Sequence, residues 1–170
     1  DGTKAEFGRL FEYKKDLSAD MALPNELLIR TESNREYLYV VLNGNNKVIK
    51  QDFVTGDTVW ISDPGVAPYG LTMAAGKLYV TNWAGRTPLP NDTEIAGIPW
   101  GKARVNNNTG GGTREGSVTV IDPKTGNKIK ELLVGLHPNE ITSDKQGRYV
   151  YVTNSNSDNV MVINTLIDEI

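Results

Sequence analysis

Apolar and polar residues alternate along most of this chain, in short runs dominated by β-branched and aromatic types. Lys47-Val48-Ile49-Lys50-Gln51-Asp52-Phe53 leads into Thr55-Gly56-Asp57 and then Thr58-Val59-Trp60-Ile61. Ser117-Val118-Thr119-Val120-Ile121 leads into Asp122-Pro123-Lys124-Thr125-Gly126-Asn127 and then Lys128-Ile129-Lys130-Glu131-Leu132-Leu133. A period of two is the mark of strands, and Gly, Pro, Asn and Asp at the breaks supply the turns. No window sustains the 3.6-residue period of a helix. The pattern predicts strands near 26–30, 37–42, 47–53 and 58–61, then 69–73, 77–82, 117–121 and 128–133, then 139–143, 149–153 and 159–163.

The strands recur in register. Leu38-Tyr39-Val40-Val41-Leu42-Asn43, Leu78-Tyr79-Val80-Thr81-Asn82 and Val150-Tyr151-Val152-Thr153-Asn154 align. Leu38 to Leu78 is 40 residues and Leu78 to Val150 is 72, the excess falling in a Gly- and Asn-rich stretch from Gly85 to Gly116. A second marker keeps step: Pro24-Asn25-Glu26, Pro68-Tyr69-Gly70 and Pro138-Asn139-Glu140 each open an apolar run. Short strands repeating near forty residues describe four-stranded antiparallel blades set radially, an all-β β-propeller. Three to four blades make it a partial one. The expected division is a lead-in or previous blade over 1–23, a blade over 24–67, a blade over 68–137 carrying the insertion 85–116, and an incomplete blade over 138–170. An open arc exposes its terminal faces, so the expected partners are the remaining blades or a companion fragment of the same polypeptide. The two ends, Asp1-Gly2-Thr3 and Thr165-Leu166-Ile167-Asp168-Glu169-Ile170, read as cut edges of a longer protein.

Composition narrows the chemistry. Eighteen basic residues against 21 acidic ones give a net charge of −3, which offers nothing to attract nucleic acid. The absence of cysteine removes disulfides, thiolate metal sites and cysteine nucleophiles. No apolar run approaches the ~18 residues needed to span a bilayer.

These residues resemble a known family. The Tyr-Val-Thr-Asn units at 78–82 and 150–154, the following strands Val118–Asp122 and Val160–Asn164, and the turn Val134-Gly135-Leu136-His137-Pro138-Asn139 are similar to the YVTN, or YncE-like, β-propeller repeat over about residues 24–165. Asn82-Trp83-Ala84-Gly85-Arg86, a long insertion, and Gly116–Asp122 look most like the propeller half of bacterial YncE-like proteins fused to an alkaline-phosphatase-type phosphoesterase. The resemblance implies an exported protein, periplasmic, secreted or at the cell surface. It also implies a phosphoesterase domain, an envelope protein or a glycan as partner. Phosphoesterase ligands would lie in that other domain, so no catalytic residue is assigned here. Surface-layer propellers carry the same repeat.

The insertion is the most distinctive feature, since a thirty-residue excursion in a small domain is either functional or unstructured. Trp83, Arg86, Trp100, Lys102, Arg104 and Arg114 are its candidate ligand- or partner-binding residues, because aromatic and guanidinium groups make good anchors. A bare surface loop is the competing reading. Gly110-Gly111-Gly112 lacks the Lys-Ser/Thr ending of a phosphate loop and reads as a turn. His137 is the sole histidine; its place before Pro138 points to a hydrogen-bonding role, with ligand contact as the alternative. Glu26 and Glu140 hold equivalent positions at the channel, where two carboxylates could bind Ca²⁺ or another hard cation. The plainer reading is that each accepts backbone N–H groups at its own turn. No other cofactor is expected. Thr81, Asn82, Thr153 and Asn154 recur once per blade and read as architecture, and Trp60 and Trp83 read as wedge packing, Trp83 with the binding role beside the insertion as its alternative.

Three functions follow as expectations. The first is a non-catalytic binding or scaffolding module, accessory to a phosphoesterase or an envelope partner. The second is a metal-dependent propeller enzyme of the lactonase-like hydrolase or quinone-dependent dehydrogenase type. The third is a structural surface-layer module.

Overall fold

The computed structural model describes residues 11–15, 21–92, 95–97, 104–106 and 113–170. Thirteen strands and no helix occur among them. The first sheet takes β1 (Pro24–Glu32), β2 (Arg35–Leu42), β3 (Lys47–Asp52) and β4 (Thr58–Ser62) in that order. The second takes β5 (Pro68–Ala74), β6 (Lys77–Asn82), β9 (Gly116–Ile121) and β10 (Lys128–Val134). The third takes β11 (Pro138–Ser143), β12 (Tyr149–Asn154) and β13 (Asn159–Asn164). All pairings are antiparallel. This is a partial β-propeller of four-stranded blades, the third showing three strands and a single bridge, Asn164 to Glu169, at the position where an outer strand would begin.

One difference from the sequence pattern lies inside the insertion. Ile95–Gly97 (β7) and Arg104–Asn106 (β8) form a small hairpin of their own. Runs of three residues among Gly and Asn are too short to show a period of two.

Each blade starts in the same way. Leu23, Ala67 and His137, the residues before the three marker prolines, have φ values of 51°, 52° and 50°. A positive φ is uncommon for a residue with a Cβ, so its recurrence at one repeat position is a built turn. Immediately after it the strand pairing slips, between Pro24 and Leu27, Pro68 and Leu71, and Pro138 and Ile141. A bulge there bends the inner strand and frees the two residues after the proline from regular pairing. Those residues form one rim of the arc, and β5 lies between β1 and β11 in space.

The blades meet through apolar faces. Tyr39, Val41, Val48 and Trp60 of blade one pack with Leu71, Leu78, Val80 and Ile121 of blade two. Tyr79, Val118, Val120 and Leu132 on the other side of blade two pack with Ile141, Val150, Val152 and Ile163 of blade three. Trp60 fills the wedge edge-on to Tyr39, with ring centres 5.8 Å apart. The other face of blade one holds Leu38, Val40, Leu42 and Ile49, against which Phe11 and Tyr13 pack; the Tyr13 hydroxyl donates to Gln51 Oε1 at 2.6 Å.

Polar contacts fasten the same joints from the outside. Lys50 Nζ and Trp60 Nε1 of blade one both donate to the Pro123 carbonyl, in the outer-hairpin turn of blade two, at 3.0 Å. Lys77 Nζ and the Tyr79 hydroxyl of blade two donate to Asp168, in the corresponding turn of blade three, at 2.7 and 2.6 Å. In each case a turn of the following blade offers oxygen acceptors to buried or half-buried donors of the one before.

Candidate functional site

The bulged starts of the inner strands bring three rings together. Trp83 follows directly on the Tyr-Val-Thr-Asn unit of blade two, and its amide donates to the Ala67 carbonyl at 2.9 Å. Its indole lies flat between Tyr69 and His137, with ring centres 5.0 Å and 5.2 Å away and interplanar angles of 11° and 25°. All three rings are partly exposed. Trp83 Nε1 donates to Asn139 Oδ1, and Asn25 Nδ2 donates to the Tyr69 carbonyl at 2.9 Å. Blade one thus contributes Asn25, blade two Tyr69 and Trp83, and blade three Asn139, with His137 on the turn between blades two and three. Offset stacking of this kind adds about 0.5–1.5 kcal/mol per pair beyond burial.

Local chain geometry sets each member. Positive φ at His137 turns its side chain out of the strand path, while its carbonyl accepts from the Ser155 amide and hydroxyl at 3.2 and 3.1 Å. Tyr69 stands where the other two blades carry Asn25 and Asn139. Gly70 stands where they carry Glu26 and Glu140. A Cβ at Gly70 would lie 2.7 Å from the Asn139 backbone oxygen, closer than a side chain tolerates. Blade two therefore lacks the glutamate because blade three passes too near. Thr81 supports the same spot: its Oγ1 accepts from the Gly70 amide at 2.8 Å and donates to the Asn139 carbonyl at 3.1 Å.

Glu26 and Glu140 sit on this rim at equivalent positions. Glu26 is half-buried and its Oε1 accepts from the Leu27 amide at 3.1 Å; Glu140 is exposed, with its amide donating to Thr153 Oγ1 at 3.1 Å. Among the described residues no three His, Asp or Glu side chains gather as a metal site would require.

The insertion leaves and rejoins the blade beside the stack. Val105 of β8 is buried with Val66, Ala67 and Ala84, and Trp83 packs against this cluster. Arg86 clamps the root: it is bidentate to Asp92 at 2.9 and 3.0 Å, and its Nε lies 3.2 Å from Glu115 Oε1. The Arg86 hydrogen bonds, with help from the Leu89 amide, pull the Asp92 carboxyl down to about 2, and Asp92 in turn raises the guanidinium above its ordinary value. Glu115 also accepts from Asn106 Nδ2 at 3.0 Å. Around this clamp lies a polar cavity of about 430 Å³ lined by Arg86, Asn91, Asp92, Asn106, Arg114 and Glu115, with Leu133 at its edge.

The structure thus brings Trp83 and His137 into contact and places Arg86 in an internal clamp with Arg114 on the wall of the same cavity. Arg104 is exposed on β8, paired across the hairpin with Gly97. Trp100 and Lys102 lie outside the described residues. Sequence reasoning missed Tyr69 and Asn139 as partners of Trp83; their shared position after the marker proline was the available signal.

Asn82, by contrast, is buried structure: its Oδ1 accepts from the Gly65 amide at 3.0 Å, and its Nδ2 donates to Ser117 and Thr119 hydroxyls at 3.0 and 2.8 Å. Asn154 donates to Asn159 Oδ1 at 2.8 Å.

No protein-family profile matches the sequence, and no curated protein matches it. Solved structures do. Hydrazine synthase from Kuenenia stuttgartiensis superposes with a TM-score of 0.63 at 21% identity over 95% of this chain and 38% of that one. A putative 6-phosphogluconolactonase from Bacteroides uniformis aligns with a TM-score of 0.38 at 11% identity, over 87% of this chain and 52% of that one. This chain spans well under two thirds of either. The likeness to the first is one of fold. Among the described residues no helix is long and apolar enough to cross a membrane.

Proposed function

We propose that this chain is a non-catalytic binding and scaffolding part of a β-propeller, and that it docks a partner through the rim bearing Tyr69, Trp83 and His137. The observation that carries this reading is the stack itself. Three partly exposed rings, drawn from separate repeat positions, are held in place by Asn139 and backbone contacts at the mouth of a thirty-residue insertion. Rigid aromatic surface lets a partner bury area with little loss of side-chain freedom. Loops on one rim of a propeller vary without disturbing the radial core, which suits such a surface to recognition. The resemblance to YncE-like fusion proteins supports a finer version: the module belongs to an exported bacterial protein and serves an attached phosphoesterase domain or an envelope partner.

The test compares hydrogen exchange over residues 66–84 and 136–141 in the complete natural polypeptide with that in the 170-residue chain. Docking slows exchange there, and Trp83→Ala or deletion of 87–113 restores the rates of the isolated chain. Equal exchange in both proteins would remove the reading. So would phosphoester or lactone hydrolysis by the isolated chain that Trp83→Ala abolishes.

A further inference from the structure

We infer that the partner segment docking on the rim is basic, and that one of its arginine or lysine side chains lies over the open face of Tyr69, drawn there by the carboxylates of Glu26, Glu140 and Asp158. This chemistry goes further than the docking proposed above, on which it rests.

The rim carries one sign of charge. It is made by residues 23–26, 66–70, 136–141 and 154–158, whose ionisable members are Glu26, His137, Glu140 and Asp158, with neither Lys nor Arg among them. The 154–158 turn belongs to the rim because the Ser155 amide donates to the His137 carbonyl and the Leu136 amide donates to Ser157 Oγ at 2.8 Å. Glu140 and Asp158 are exposed, and among the described residues no donor reaches either carboxylate. Glu26 engages one oxygen only, through the Leu27 amide. Cations at the same end of the blades are already paired, Lys47 with Asp63 and Arg86 with Asp92 and Glu115. Arg104 and Arg114 of the insertion are not free either.

The rings supply a seat for the charge that these carboxylates attract. Trp83 has both faces covered, one by Tyr69 and the other by His137. Tyr69 keeps the face turned away from the indole, and the residue is partly exposed. The face of a phenol ring carries the negative side of its quadrupole and attracts a cation. Asn25 of blade one donates to the Tyr69 carbonyl at 2.9 Å, and Glu26 follows directly on Asn25. A guanidinium stacks flat on such a face while its edge meets a carboxylate; an ammonium reaches both as a point charge.

Other occupants fit less well. A hard metal cation takes about 6–8 oxygen ligands, whereas these carboxylates stand on three separate segments, and among the described residues no three acidic side chains gather. A neutral glycan stacks on an exposed ring face, and the indole, the largest ring, offers none. An acidic glycan or a nucleic acid is repelled by three carboxylates without a counter-charge.

Hydrogen exchange over residues 66–84 and 136–141 of the complete natural polypeptide tests this at ~0.1 M and ~1 M NaCl, between which the screening length falls from about 10 Å to about 3 Å. The same comparison is made for the Glu26→Gln, Glu140→Gln double variant. Glu36→Gln is the control, an exposed carboxylate at the opposite end of β2. Exchange slowed by docking at low salt should become several-fold faster at high salt and in the double variant, but not in Glu36→Gln. Unchanged exchange over 38–41, 78–80 and 118–121, inside the blade joints, shows that the fold is intact. Should the double variant unfold, the salt comparison on the unmodified protein decides alone. Slowing that salt and the double variant leave untouched overturns the basic partner and leaves the docking standing. No slowing in the unmodified protein removes the docking and the basic partner together. Stronger slowing in the double variant, which marks an acidic partner, or slowing that a glycosidase abolishes, also overturns it.

Discussion

The Asp168 carboxylate of blade three accepts the Tyr79 hydroxyl of blade two at 2.6 Å, although the two residues lie 89 positions apart. The same carboxylate holds Lys77 Nζ at 2.7 Å through both oxygens, and it is 8% exposed. One side chain in a turn thereby closes the outer end of a blade–blade joint whose middle is Val and Ile. Removing one partner of a buried ion pair leaves the other charge unpaired, which costs more than the pair contributes.

Asp168→Ala should therefore destabilise the chain by about 3 kcal/mol, and Tyr79→Phe by about 1 kcal/mol because Lys77 still satisfies the carboxylate. Thermal or urea unfolding measures both. Equal losses for the two variants would show that the lysine contributes nothing.

Alkaline pH should open the same joints. Burial first, then the hydrogen bond to a carboxylate, raises the hydroxyl of Tyr79 toward Asp168 and of Tyr39 toward Glu32 far above the ordinary tyrosine value. A raised acid favours the protonated form in the folded state. The stabilisation is whole below the unfolded value of about 10 and declines as pH rises above it. Urea midpoints measured from pH 8 to 11.5 should fall above pH ~10, and the fall should shrink in the Tyr39→Phe, Tyr79→Phe double variant.

The clamp at the insertion root should fail in acid. Asp92 is held near 2 by Arg86, so its contribution is present above the unfolded carboxylate value and is lost as pH falls toward 2. A carboxyl-detected NMR titration follows it directly. Arg86→Lys loses the bidentate geometry and should move Asp92 back toward the ordinary range; an unchanged titration would show that the Leu89 amide alone sets it.

Gly70→Ala should cost about 1–3 kcal/mol through overpacking, because the added Cβ meets the Asn139 carbonyl at 2.7 Å. The displaced strand carries Asn139, the acceptor of Trp83, so the near-UV circular dichroism should change with stability. An unaltered spectrum would mean that the Tyr69–Trp83–His137 stack is not tied to blade spacing.

Much of the fold was legible along the chain because a blade is a local object. Its strands follow one another through short turns, and the period of two with its Pro-Asn and Tyr-Val markers carries that information in adjacent residues. Trp83 and His137 could be singled out in the same way, one abutting an insertion and the other preceding a marker proline.

What the tertiary structure alone decided is which residues of different blades meet. The stacking of Tyr69 on Trp83 on His137, the reach of Asp168 to Tyr79, the exclusion of a glutamate at position 70 and the hairpin within the insertion all depend on how far one blade sits from the next. That spacing arises from the bulged turns at Leu23, Ala67 and His137 acting together with the apolar faces between sheets. No window of consecutive residues contains it, because each contact joins positions tens of residues apart whose separation in space is fixed only once the blades have packed.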